Sequence, residues 1–253
     1  MPYQSIKHYM TIKAVDLSLL SEAFKDLSDQ VCDIWEGDDE PSPPLVQKAM
    51  LQLFDILNRN DSEKFSANVD TPLQNEEVDE LGEYGLTLIQ EMASYAQDLG
   101  MQDLADSIED LTFPFAVWLA RRDSEIKNLA PIANAFARSA IHIEDQHLLK
   151  QLFGYINEII DCLSPSVTQD PDKNNNLNPW RILIFNRAMI AIRSHDHDLI
   201  ELSFKTLVES LPEEAERFFE ESIELMHMKN YPAHVRELIQ QYYLMYGTPQ
   251  TLH

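Results

Sequence analysis

Apolar residues return every three or four positions along most of this chain, and no run alternates with period two. Leu17, Leu20, Phe24, Leu27, Val31 and Ile34 set the pattern near the start. A period near 3.6 puts such residues on one helix face, whereas a half-buried strand needs strict alternation. That feature restricts the chain to all-α folds. The six glycines are too few for a turn-rich β protein, and the abundant Leu, Glu, Ala, Met and Gln favour helix.

The first helix is expected from Asp16 to Trp35, ended by Gly37 and the prolines of "EGDDEPSPP". Pro43 and Pro44 open a second, with Val46, Ala49, Met50, Leu53 and Leu57 as its buried stripe. Polar Asn58 to Asn75 reads as a long loop. A third helix runs from Glu76 to about Leu99, where Gly100 ends it, and Met101 to Leu111 is its return partner. Pro114 punctuates next, "FAVWLARR" begins another stretch, and Ala130–Ala140 and Leu148–Leu163 follow. Trp180–Arg193, Asp198–Leu211, Glu213–Met228 and Pro232–Tyr246 complete about ten helices. The expected architecture is stacked antiparallel helical hairpins, either α-solenoid-like or a compact multi-helix array. Four regions result: a helix and acidic, proline-rich linker (1–44), a first hairpin region (45–163), an exposed linker rich in Asn and Pro (164–179) and a C-terminal four-helix region (180–253).

Within that last region, Arg181 to Pro212 resembles one degenerate tetratricopeptide repeat. Ala188 and Ala191 stand in its first helix, and Phe204, Leu207 and the terminating Pro212 in its second. Such repeats pair two helices in about 34 residues. His195 replaces the usual turn glycine and Ile200 a small residue. Gly100 and Ala105 give a partial echo, with its proline early, at Pro114. The resemblance implies stacked α-hairpins.

Nineteen basic residues face 43 acidic ones, a net charge of -24. Such a surface repels phosphate backbones and anionic lipids, so neither nucleic acid nor membrane is an expected partner. From Phe65 to Ala120 there are twelve acids and no Lys or Arg. Glu76, Glu77, Glu80 and Glu83 lead that stretch and are candidates for binding a basic protein partner. A weaker alternative is an acidic mimic of nucleic acid.

No run approaches the roughly eighteen apolar residues of a membrane span, and the N-terminus lacks the apolar core and cleavage site of a signal peptide. Cys32 and Cys162 lie far apart, with no CxxC. The expected setting is the cytoplasm, with both thiols free.

The run His195-Asp196-His197-Asp198 raises a metal site, since imidazole nitrogen and carboxylate oxygen are good ligands for zinc, iron or manganese. It resembles the metal-dependent phosphohydrolases with a helical His-Asp signature, and that resemblance implies a hydrolase with His142 or His147 as a further ligand. Yet residues two apart on a helix do not face each other. The run also lies where apolar periodicity lapses, with Ser194 or Asp196 placed to cap and Asp198 suited to a helix N-terminus. The turn reading is preferred, so no metal or other cofactor is expected. His227 and His234 read as helix-junction residues. No nucleophile-elbow serine, Walker loop or dinucleotide glycine motif occurs.

From Ile182 to Ile192 nearly every residue is apolar, apart from Asn186 and Arg187. A buried charge demands a partner. Either Arg187 pairs with a neighbouring carboxylate while Asn186 ties a loop, or both line a groove for an acidic or carboxy-terminal peptide group, with Trp180 and Arg193 near its ends. The last helix carries Val235, Leu238, Ile239, Tyr242 and Tyr246 on one stripe, widened by Tyr243 and Met245. That stripe is core, or a homo-oligomer interface, where aromatics are enriched. The functional expectation is a non-enzymatic interaction or scaffold protein using the acidic face or the apolar groove. The alternative is the His-Asp hydrolase.

Overall fold

The computed structural model describes residues 16–37, 41–63, 75–169, 177–228 and 230–247, with backbone alone at 62, 63, 75 and 227. Most of the stretch read for a signal peptide, part of the acidic linker, 64–74 of the long loop and 170–176 of the Asn-rich linker lie outside. Eleven helices occupy the described residues: α1 (Leu17–Ile34), α2 (Pro43–Glu63), α3 (Asn75–Asp98), α4 (Gln102–Glu109), α5 (Thr112–Ala120), α6 (Ala130–His142), α7 (Gln146–Asp161), α8 (Pro179–Ser194), α9 (His197–Ser210), α10 (Pro212–Met228) and α11 (Ala233–Tyr246). Among the described residues there is no strand and one isolated bridge, between Ile126 and Leu163. The fold is an all-α multi-helix array. No helix among the described residues is long and apolar enough to cross a membrane.

The chain forms two compact units. One holds residues up to Phe136 together with Asn157–Gln169; the other holds Ala137–Ile156 and the residues from Asp170 onward. The division passes through α6 and α7, so the stretch read as one region from 45 to 163 contributes to both units. Of the linker read at 164–179, residues 164–169 belong to the first unit.

In the first unit α5 is the centre, because all nine residues of "TFPFAVWLA" are buried. A helix apolar all round has no solvent face to offer. Pro114 sits in its first turn, where no backbone donor is needed, so it does not interrupt the helix. Phe24, Phe54, Phe115 and Trp118 form a chain of aromatic contacts with centroids 5.8 to 6.3 Å apart. Asp16 caps α1, accepting from the Ser18 amide at 2.8 Å. Ile34 was expected on the buried stripe of α1 but is 52% exposed. Steps of three and four average near 3.5, and over several turns that stripe drifts off the face of a 3.6-residue helix. Residues 58–63 continue α2 rather than starting a loop. Buried Asn60 and the ion pair of Asp61 with Arg122 hold this last turn. Gly100 (φ 76°) ends the α3 stretch, with Met101 N–H donating to Ala96 O and Gly100 N–H to Gln97 O, the paired bonds of a left-handed helix terminus.

In the second unit α8 and α9 form a hairpin, and α10 and α11 pack on α9 and on each other. Phe204, Phe219 and Tyr242 meet at 5.0 to 5.5 Å, and Val235, Leu238 and Ile239 bury the inner face of α11.

Candidate functional site

The α8–α9 turn takes its shape from its own letters. His195 ends α8 in the left-handed conformation (φ 56°, ψ 21°), at the place where a glycine was expected. Its amide donates to Ile192 O. Asp196 is the N-cap of α9, accepting from the amides of Asp198 (3.2 Å) and Leu199 (3.4 Å). Its other oxygen lies 2.7 Å from Lys150 Nζ. The Lys150 ammonium, aided by those amides, holds its carboxyl below the usual range. Asp198 sits in the first turn of α9, where its charge suits the helix dipole.

This geometry spreads the histidines. The His195 ring turns towards Gln146, at 2.8 Å from Nδ1, and stands edge-on to Tyr231. Burial, and then the charge of His234, pushes its pKa down. His197 is exposed, with Nδ1 3.5 Å from the Asp198 carboxylate. His142 ends α6, and His147 lies 3.2 Å from Gln151. Among the described residues no three of His, Cys, Asp or Glu gather closely enough to hold a metal ion.

Along α8, two of the four residues expected to line a groove are buried. Asn178 caps the helix, accepting from the Trp180 amide at 2.9 Å. Trp180 is 5% exposed and Arg187 4%. The Arg187 guanidinium lies over the Phe153 ring, 4.5 Å from its centre. Asn186 donates to Ile182 O at 2.8 Å, within its own helix, so it ties no loop. Arg193 donates to the carbonyls of Ala140 and Ile143, at the end of α6. The cation thus serves acceptors that a helix terminus leaves open. Trp180 and Arg187 are thus packed within the second unit, while Asn186 and Arg193 are half-buried. The clearest carboxylate pairing on α8 belongs to Arg181, buried and 2.8 Å from Glu214, which the sequence reading had not singled out.

On α3 the acids divide into two kinds. Asp79 accepts from the Ser124 hydroxyl (2.6 Å) and the Glu125 amide (2.9 Å). Glu83 accepts from the amides of Lys127 and Asn128. Both are committed to the loop after α5, so Glu83 is a loop anchor rather than a free partner-binding group. Glu76 and Glu80 are exposed, as is Glu77, which also keeps an interaction within the protein. One turn further on, Tyr84 is 50% exposed. Steps of about four place these side chains along one helix face.

No protein-family model, curated protein or solved structure matches the chain.

The end of α11 also carries exposed apolar side chains. Leu244, Met245 and Tyr246 are exposed there, although Tyr246 also stacks on Phe219.

Proposed function

We propose that the protein is a non-enzymatic interaction or scaffold protein of helical-hairpin type, which binds a basic protein segment on the outer face of α3. The observation carrying this reading is the stripe of Glu76, Glu77 and Glu80 leading to half-exposed Tyr84. Carboxylates attract Lys and Arg over a distance, and an aromatic face takes a cation at contact. On the rival surface along α8, Trp180 and Arg187 are buried, which supports the α3 face instead. We place the protein in the cytoplasm; the free thiols of Cys32 and Cys162 support a reducing compartment.

The test begins with a partner recovered by pull-down from native extract. Its association with wild type is compared with a variant carrying Lys at positions 76, 77 and 80, at low and high salt, with thermal melting as the folding control. Long-range attraction mainly sets the encounter rate, so the variant is expected to associate more slowly and wild type to slow as salt rises. Equal rates for both proteins at both salt concentrations would remove the reading.

A further inference from the structure

The α8–α9 turn is tied to three other elements of its unit. Arg193 reaches the end of α6. His195 meets Gln146 at the start of α7, and Asp196 meets Lys150 one turn later. From α11, His234 Nε2 lies 2.9 Å from the carbonyl oxygen of His195, as a donor must. Tyr231, in the lead-in to α11, stands edge-on to the His195 ring with centroids 5.8 Å apart. The titratable and charged groups gathered there are Lys150 from α7, Tyr231 and His234 from α11 and its lead-in, and Arg193, Asp196 and His197 from the turn itself.

With its amide nitrogen facing Nδ1 of His195, Gln146 donates to a bare ring nitrogen, the arrangement that suits a neutral ring protonated at Nε2. We propose that this junction is an acid-sensitive latch: while His195 is neutral, residues 231–236 are held on the α8–α9 turn, and its protonation releases them. The added proton sits where Gln146 donates, and it places a cation among Lys150, Arg193 and His234 with Asp196 as the offsetting carboxylate. Release is local, because Leu238, Ile239 and the Tyr242 contacts with Phe204 and Phe219 keep the rest of α11 docked. Ala233 and Arg236 belong to the freed turn. With Met226 and Met228 they line a groove of about 550 Å³, so acid reshapes that groove. This output does not depend on the α3 face.

The sign follows from the lowered pKa of His195. The latch is intact above the ordinary imidazole value of about 6.5 and weakens as pH falls below it. At about pH 5.5 the loss cannot exceed about tenfold, the ceiling set by an ordinary histidine in the released state.

The experiment is hydrogen exchange on the full chain at about pH 7.5 and about pH 5.5, corrected for intrinsic exchange, with the ceiling above as the scale. Wild type should lose protection several-fold over residues 231–236 and keep it over Ile200–Leu207. In His195→Asn, which tolerates the left-handed turn and cannot be protonated, protection over 231–236 should not depend on pH. Unchanged wild-type protection, or the full wild-type response in His195→Asn, overturns the latch. Should circular dichroism show His195→Asn unfolded, His234→Gln decides instead. It keeps a donor but removes the second imidazole, so a response smaller than wild type supports the latch and a full one overturns it.

Discussion

The backbone of Gly85 lies directly against the ring of Phe115: a Cβ at position 85 would sit 2.7 Å from Cε1 of that ring and 3.2 Å from Leu53 Cδ2. Glycine here lets α3 approach α5 more closely than any other residue allows. Gly85→Ala is expected to destabilise by about 1–3 kcal/mol from overpacking, outweighing alanine's helix preference of about 1 kcal/mol. Gly154, in α7, has nothing within 4 Å of its would-be Cβ. There the same substitution should stabilise, by up to about 1 kcal/mol. Urea unfolding of both variants checks the opposite signs.

Arg122 stacks on Trp118, with its guanidinium carbon 3.7 Å from the ring centre. It also donates to Trp118 O at 3.0 Å and pairs with Asp61. Arg122→Ala should cost about 2 kcal/mol, the scale of a partly exposed cation–π contact plus a charged hydrogen bond. Arg122→Lys should recover only part of this, since an ammonium lacks the planar fork. Paired unfolding curves give both values, and a lysine variant as stable as wild type would contradict the stacking argument.

The two kinds of acid on α3 should respond differently to removal. Asp79→Ala leaves the Ser124 hydroxyl and the Glu125 amide without their acceptor, a loss of about 1–3 kcal/mol. Glu80→Ala, on the solvent side, should fall within about 0.5 kcal/mol of wild type. Melting curves separate them, and hydrogen exchange across 121–129 should rise in the Asp79 variant alone.

Asp196 provides a pH signature. Its carboxyl is held low, first by Lys150 and then by the α9 amides. Its charge therefore adds stability above the ordinary carboxylate value of about 3.9, and that share is lost as pH falls through the lower folded value. Asn caps a helix as well as Asp, so Asp196→Asn isolates the charge. The gap in urea midpoint between wild type and variant should close below about pH 4.

What could be read in the letters was local. Gly100 as a helix end, a cap at Ser194 or Asp196 and the buried stripe of α2 follow from chemistry within a few residues. What could not be read was distant. The last turn of α2 is held by Arg122, 61 positions away, and Arg193 finds its carbonyl acceptor 53 positions away. Polarity marked residues 58–63 as loop because its anchor was invisible. Glu80 and Glu83 likewise differ only in what lies across from them, which no periodicity records. Arg187 was legible as a buried charge, but its placement over Phe153 was not, since an aromatic face carries no formal charge to match.

The clasp between Ile126 and the end of α7 bears on how the chain is born. Ile126 donates to Cys162 O and accepts from Ser164 N, each at 2.9 Å, while Arg121 meets Glu158 at 2.7 Å. A ribosome delivers Arg121 and Ile126 well before any of these partners. Synthesis runs N-terminus first and domains fold as units, so the first unit stays unclosed until α7 has emerged. Residues Ala137–Ile156, grouped with those from Asp170 onward, wait longer still. A nascent chain halted at residue 136 would leave Ile126 without the partners that Cys162 and Ser164 supply, and Arg121 without Glu158.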